Sequence, residues 1–287
     1  MLRWIRRPRS GSWWVSGHEI IFPHSLVVLR VRCCGGGGVC GVGCAVMLAK
    51  RVILSLTLND GVLFRTKRFT PDYRYTLNFV DMELADEVLI LDVTRPQGGA
   101  RILEAAQAYV DRLFLPLSVG GGVRSLDLVG RLLHDVGADK VVVNTEAFRQ
   151  PEFITRISHK FGSQACVVSV DVKDWFVRID QGREDTGVHV LEWAEEAVHR
   201  GAGEILLMDI DRDGSLMGMN LELIETVAKR VSVPVIAVGG CGNWGHMHQA
   251  FEAGADAVAT QVIHHFTTPS LRAAKTYLRE RGLAVRL

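Results

Sequence analysis

The chain has no apolar run approaching the roughly 18 residues that a membrane-crossing helix requires. Its apolar runs, for example 141–143 and 205–208, are the length of buried strands. An excess of one charge sign is also missing: 33 Lys and Arg stand against 32 Asp and Glu, a net charge of +1. That balance removes the electrostatic case for nucleic acid, which wants a clustered basic face. No metal-ligand spacing is visible in the body of the chain. Cys166 and Cys241 lack partner spacing and read as packing residues. His246, His248, His264 and His265 fall near the last helical stretches and read as surface or packing side chains. The expectations are a cytoplasmic protein with no metal, no cofactor, no nucleic acid and no membrane.

Cysteine is scarce except in one place, where Cys33, Cys34, Cys40 and Cys44 crowd a glycine-rich stretch. A zinc site would want C-x₂₋₄-C spacing, which the adjacent Cys33-Cys34 pair and the gap to Cys40 fit poorly. A signal peptide needs an unbroken apolar core, and Arg30 and Arg32 interrupt it. The favoured expectation is that Met47-Leu-Ala-Lys-Arg is the natural start. Residues 1–46 would then be a disordered extension without function, and residues 47–287 the folded domain.

From Met47 onward, β-branched and aliphatic runs alternate with amphipathic stretches, the pattern of βαβ units and a parallel sheet. Strands are predicted over 52–58, 87–93, 117–119, 140–144, 165–172, 204–210, 235–238 and 257–261. Helices are predicted over 191–200, 221–231 and 247–253, and a hairpin over 175–179 and 183–187. Eight strands in about 240 residues is the size of an α/β (β/α)₈ barrel. An internal repeat supports two half-barrels. Asp92 matches Asp209, with 209 − 92 = 117, and Gly121-Gly122 matches Gly239-Gly240, with 239 − 121 = 118. Gly137-Ala-Asp139 matches Gly254-Ala-Asp256 at the same period, which an open doubly wound sheet does not require.

Barrel enzymes carry their chemistry at the C-terminal strand ends. There, Gly121 and Gly122 precede a strand ending in Asn144-Thr145, and Gly239 and Gly240 precede one ending in Thr260-Gln261. Glycines at such ends let backbone N–H groups approach a phosphate. A tight βα turn explains one Gly-Gly pair as well, but two symmetric copies favour two phosphate cradles. Asp213 and Gly214 are placed with the second. An elongated substrate with phosphate at both ends is implied. Among the acidic residues at strand ends, Asp171 is the candidate proton carrier. Asp92 and Asp213 admit plainer roles as a loop hydrogen bond and a turn.

The stretches Met47-Leu-Ala-Lys-Arg-Val-Ile, Val119-Gly-Gly-Gly-Val-Arg-Ser, Gly137-Ala-Asp-Lys-Val-Val-Val-Asn-Thr, Phe161-Gly-Ser-Gln, Gly201-Ala-Gly-Glu-Ile-Leu-Leu and Asp211-Arg-Asp-Gly resemble the imidazole glycerol phosphate synthase cyclase subunit. The resemblance covers essentially all of residues 47–287. It implies a glutamine amidotransferase partner that supplies ammonia through the barrel axis. At the mouth, two aspartates would handle protons while an imidazole ring closes and a carboxamide nucleotide leaves. Asp171 matches one of them. The other does not survive: the family's Cys-Leu-Asp-Val-Lys-Asp-Gly reads here as Ser55-Leu-Thr57-Leu-Asn-Asp60-Gly61, so Thr57 stands in place of a catalytic aspartate. Asp60 lies beyond the strand end, in a turn.

Other departures are a basic and aromatic first loop over 64–75, read as a solvated or substrate-side loop, and Val238 and Val262 near the second cradle. At the opposite end Arg51, Glu87, Lys140 and Glu204 each open a strand and can close a ring of salt bridges. All four match the family's ammonia gate. Three functions stay open. The first is the histidine-pathway cyclase. The second is a paralogue that amidates a nucleotide-linked sugar for surface polysaccharide, favoured by Thr57. The third is an inactive barrel that only binds a glutaminase.

Overall fold

A computed structural model describes residues 26–28, 46–75, 82–94, 99–110, 114–261, 263 and 271–287. The readings placed on Cys33, Cys34, Cys40, Cys44, Val262, His264 and His265, and most of those on 1–46, lie outside these residues. The chain divides into two units, 1–48 and 49–287. Of the first, Leu26–Val28 pairs antiparallel with Val46–Leu48.

The second unit is a closed barrel of eight parallel strands. They are β1 (Arg51–Asn59), β2 (Glu87–Asp92), β3 (Leu117–Gly120), β4 (Lys140–Val143), β5 (Cys166–Lys173), β6 (Glu204–Asp209), β7 (Val235–Val238) and β8 (Ala257–Thr260). Each pairs with the next, and β8 returns to β1 through Val258 opposite Val52. Parallel strands covered by helices are buried on both faces, which explains why they are rich in Val, Ile and Leu. Alternation sorts the side chains. On β1, Val52, Leu54, Leu56 and Leu58 pack outward under the helices. Ile53 faces inward with Leu89, Val142, Val167, Leu206, Ile236, Ala257 and Ala259, which fill the barrel interior. Each large aliphatic buried this way contributes roughly 1.5–3 kcal/mol.

Side-chain caps fix where the helices leave the mouth. Ser125 Oγ accepts from Leu128 N at 3.2 Å, Asn220 Oδ1 from Leu223 N at 3.2 Å, and Asn243 Oδ1 from His246 N at 3.0 Å. Such caps contribute about 1 kcal/mol each. At the other end, Lys275 on helix Leu271–Glu280 is buried with its Nζ 2.7 Å from Asp86 Oδ1. Asp86 Oδ2 in turn accepts from Val52 N at 2.9 Å, tying the last helix to the first two strands.

The strands fall within one or two residues of their predicted bounds, and the hairpin after β5 forms as Phe176–Ile179 and Glu184–His189. The first loop departs from expectation. It is not a plain loop but a hairpin, Val62–Lys67 and Thr70–Arg74, laid antiparallel onto the end of β1. Asp60 and Gly61, at φ 51° and 72°, make the two-residue turn into it, the geometry favoured by Asp-Gly. No helix among the described residues is long and apolar enough to cross a membrane.

Candidate active site

The C-terminal strand ends enclose a cavity of about 710 Å³. Thr57 on β1, Ser169 and Asp171 on β5, Gly121 and Gly122 after β3, and Asn144 and Thr145 after β4 all line it. A recess of about 40 Å³ beside it is lined by Asp213, Gly214, Gly239, Gly240 and Gln261. Thr57, Thr66 and Met208 border both spaces. The residues read from the sequence as catalytic or phosphate-binding therefore converge on one end of the barrel.

The two-half repeat reappears in the backbone here. A Cβ on Gly121 would strike the carbonyl oxygen of Asp92, and one on Gly239 would come within 2.8 Å of that of Asp209. Both glycines have positive φ, 118° and 101°, so the close approach and the conformation each require glycine. The two aspartates organise loops rather than face the cavity with free carboxylates. Asp92 Oδ1 accepts from Thr94 N at 2.9 Å, and Asp209 accepts from Arg212 N at 3.1 Å and Asn220 Nδ2 at 2.7 Å.

Asp171 is buried on the inner face of β5, where Ser169 Oγ donates to its Oδ1 at 2.7 Å. Burial pushes its pKa up to about 7, Asp213 adds to that push, and the Ser169 hydrogen bond opposes it. A carboxyl poised near neutrality can both take and release a proton. Thr57 is buried on β1 opposite Leu91 of β2. Its hydroxyl does not ionise near neutral pH. Cys166 and Cys241 are buried and their thiols are pushed up to about 12, which leaves both protonated and inert.

Asn144 donates through Nδ2 to Ser169 O at 3.2 Å, and Thr145 Oγ1 accepts from Asp180 N at 3.0 Å. These bonds fix the turn after β4. In the second cradle the side chains turn toward the first-loop hairpin. Asp213 Oδ2 accepts from Phe69 N at 3.0 Å, and Gln261 Nε2 donates to Phe64 O and to the Tyr75 hydroxyl, both at 2.7 Å. Phe69 itself packs against the interior cluster. Phe69 and Tyr75 belong to the basic, aromatic stretch 64–75 picked out in the sequence as a loop; the Asp60-Gly61 turn was the available signal that it folds as a hairpin.

At the opposite end, the four charged residues close a ring. Arg51 Nη1 lies 2.9 Å from Glu87 Oε2 and its Nη2 3.0 Å from Glu204 Oε2; Lys140 Nζ lies 2.7 Å from Glu87 Oε2 and 3.1 Å from Glu204 Oε1. Ser118 Oγ also donates to Glu87 Oε1. Ring and cavity are the two ends of one barrel interior. Among the described residues no group of three or more His, Cys, Asp or Glu is arranged to hold a metal ion.

A family model described as "Histidine biosynthesis protein" matches residues 54–268, from β1 past the end of β8. The chain belongs to this family. Its relatives include the imidazole glycerol phosphate synthase subunit HisF of Prosthecochloris aestuarii, 42% identical over 255 residues, with 84% of this chain and all of the relative covered. The subunit of the same name from Chlorobaculum tepidum is 42% identical over 253 residues, at the same coverage. That of Pyrobaculum aerophilum is 45% identical over 210 residues, covering 71% of this chain and 83% of the relative. The resemblance read from the motifs is thus a family membership. The matched span of this histidine biosynthesis protein holds Thr57, Asp171, both cradles and three of the four ring residues; Arg51 precedes it.

Proposed function

We propose that this chain is the cyclase subunit of an imidazole glycerol phosphate synthase. It takes ammonia from a glutamine amidotransferase partner in the cytoplasm and uses it to close an imidazole ring on a phosphorylated substrate. The observation that carries this reading is the pairing of two features in one barrel. A closed ring of ion pairs stands at the N-terminal end, and a buried carboxyl with a pKa of about 7 stands at the mouth. A ring of buried charges adds little net stability, so an entry gate is a better reason for it than a structural one. At the mouth, the glycine turns after β3 and β7 offer backbone N–H groups to phosphate, and Asp171 moves protons during ring closure and loss of the carboxamide nucleotide.

Thr57 favours a second reading. Without a carboxylate on β1, proton traffic falls to Asp171, and a paralogue that delivers ammonia to a nucleotide-linked sugar suits a single proton carrier. A barrel that merely activates a glutaminase has no use for a carboxyl held near neutrality. The test supplies the full chain with an ammonium salt and the phosphoribulosyl-formimino substrate of histidine biosynthesis, and follows release of the carboxamide nucleotide. Turnover within the roughly 1–10³ s⁻¹ usual for enzymes is the expected result. Folded protein that binds the substrate and does not turn it over would move the amidating paralogue to the front.

A further inference from the structure

Asp171 brings one carboxyl to the cavity, from β5. In the closed ring of eight strands β1 stands opposite β5, and the side chain it sends to the cavity wall is Thr57, which has no carboxyl. Most other acids of the mouth are committed or lie elsewhere. Asp92 is bonded to Thr94, and Asp209 to Arg212 and Asn220. Asp60 is exposed in the turn beyond the end of β1. Glu146 enters the cavity after β4, three strands from β1.

Asp213 differs from these. The recess it lines meets the cavity at Thr57, Thr66 and Met208, which border both spaces. The Thr66 hydroxyl donates to the Asp213 carboxylate. Phe69 N donates to its Oδ2 at 3.0 Å, and its own N–H donates to Asp209 O at 3.1 Å, so the acid is held in one place. The arrangement repeats that of β5, where the Ser169 hydroxyl donates to Asp171. Burial pushes the Asp213 pKa up, while the Phe69 N–H, the Thr66 hydroxyl and the Arg65 guanidinium pull against it. Its charge is also near enough to push Asp171 up, so the two acids titrate as an interacting pair. A second phosphate cradle does not account for this residue, because an ionised acid repels phosphate.

We propose that Asp213, acting through the Thr66 hydroxyl, is a second proton carrier of the ring-closing reaction and stands in for the carboxyl that β1 lacks. Thr66 Oγ accepts a proton from the incoming nitrogen as its bond to carbon forms, and passes its own proton to Asp213. The pair hands a proton back, in the reverse order, to the atom whose bond to carbon breaks. Asp213 ends as it began, and no further acid or base is consumed. The inference rests on the cyclase reading under the proposed function, and gives that reaction two proton carriers in spite of Thr57.

The test follows ammonium-driven turnover of the phosphoribulosyl-formimino substrate, with rate–pH profiles. It compares the full chain with Asp213→Asn, Thr66→Val, Thr57→Asp and the double variant Asp213→Asn/Thr57→Asp. Asp213→Asn keeps the shape and an acceptor for Phe69 N, and should lower turnover on the order of a hundredfold. Loss of the Asp213 charge should also move the acidic limb of the profile to lower pH, because Asp171 loses a negative neighbour. Thr66→Val should lower turnover by a smaller factor, roughly tenfold. With a carboxyl on β1, Asp213 becomes dispensable: the double variant should turn over within about threefold of Thr57→Asp alone. Thr66→Val carries the same test should Asp213→Asn fail to fold, since Thr57→Asp should restore its rate too. Turnover of Asp213→Asn within about threefold of wild type, or an acidic limb that stays in place, would overturn the proposal. A loss that Thr57→Asp does not rescue would overturn it as well and leave Asp213 as an anchor for the hairpin. Wild-type protein that binds the substrate without turnover would remove the cyclase reading itself, and this role of Asp213 with it.

Discussion

Ser169 and Asp171, two residues apart on the inner face of β5, share a hydrogen bond of 2.7 Å in which the serine hydroxyl donates to the carboxylate. The bond favours the ionised form of an acid whose burial favours the protonated one. Removing the serine hydroxyl therefore shifts the balance toward burial. Ser169→Ala should move the acidic limb of the rate–pH profile to higher pH, by roughly one unit. An unmoved limb would separate Asp171 from the titration that controls rate.

Asp171→Asn should cost on the order of 10²–10⁴ in turnover, the range for a proton-transfer group. It should also change stability with a definite sign. The Asp171 pKa of about 7 in the folded chain lies above the ordinary carboxylate value of about 3.9. The folded state thus holds the extra proton between those values, and the group's contribution is favourable below about pH 4 and lost as pH rises through about 7. At pH 8 the asparagine variant should be more stable by on the order of 1–3 kcal/mol, read from urea unfolding. A variant both inactive and less stable at pH 8 contradicts this.

Thr57→Asp places a carboxyl on β1 beside the same cavity. If the chain is the cyclase, ammonium-dependent turnover should rise by roughly tenfold or more. The rate–pH profile should also shift to higher pH, as a second buried negative charge raises Asp171 further. A fall in turnover would show that the threonine belongs to a different chemistry.

Lys140→Ala opens the ring at one corner and leaves Glu87 and Glu204 to share the Arg51 cation, with Ser118 still donating to Glu87. Losing one partner of a largely buried ion cluster costs about 3 kcal/mol. With the glutaminase bound, glutamine-driven turnover should fall while ammonium-driven turnover stays within about threefold of wild type, a ratio measurable in a single assay. Equal losses on both nitrogen sources would make the ring purely structural.

Lys275→Ala tests the tie at the same end of the barrel. Lys275 is 1% exposed and leaves Asp86 to Arg286 at 3.4 Å when removed. The expected cost is about 3–5 kcal/mol, a fall of roughly 8–15 °C in Tm for a domain of this size. A melting temperature within a degree of wild type would contradict it.

The barrel was legible because its strands must be apolar on both faces and its connections amphipathic on one, patterns that survive in local sequence. The ring of ion pairs was legible for a similar reason. A charged residue at the start of a buried strand is conspicuous, and four at equivalent positions converge once the barrel closes. The first-loop hairpin was readable in part: Asp60-Gly61 is a strong turn signal, but Arg68-Phe69 carries none, because contacts with Asp213 and the interior hold that turn. The reach of Gln261 to Phe64 and Tyr75, 197 and 186 residues away in sequence, depends on tertiary placement alone.

The most direct test of the central claim supplies ¹⁵N-ammonium and the phosphoribulosyl-formimino substrate to wild-type protein and to Asp171→Asn. It locates the label by mass spectrometry. The wild-type product should carry ¹⁵N in its imidazole ring, and Asp171→Asn should react at a rate lower by at least about a hundredfold. Label appearing in a substrate-derived amide or amidine without ring closure, or equal rates from the two proteins, would contradict it.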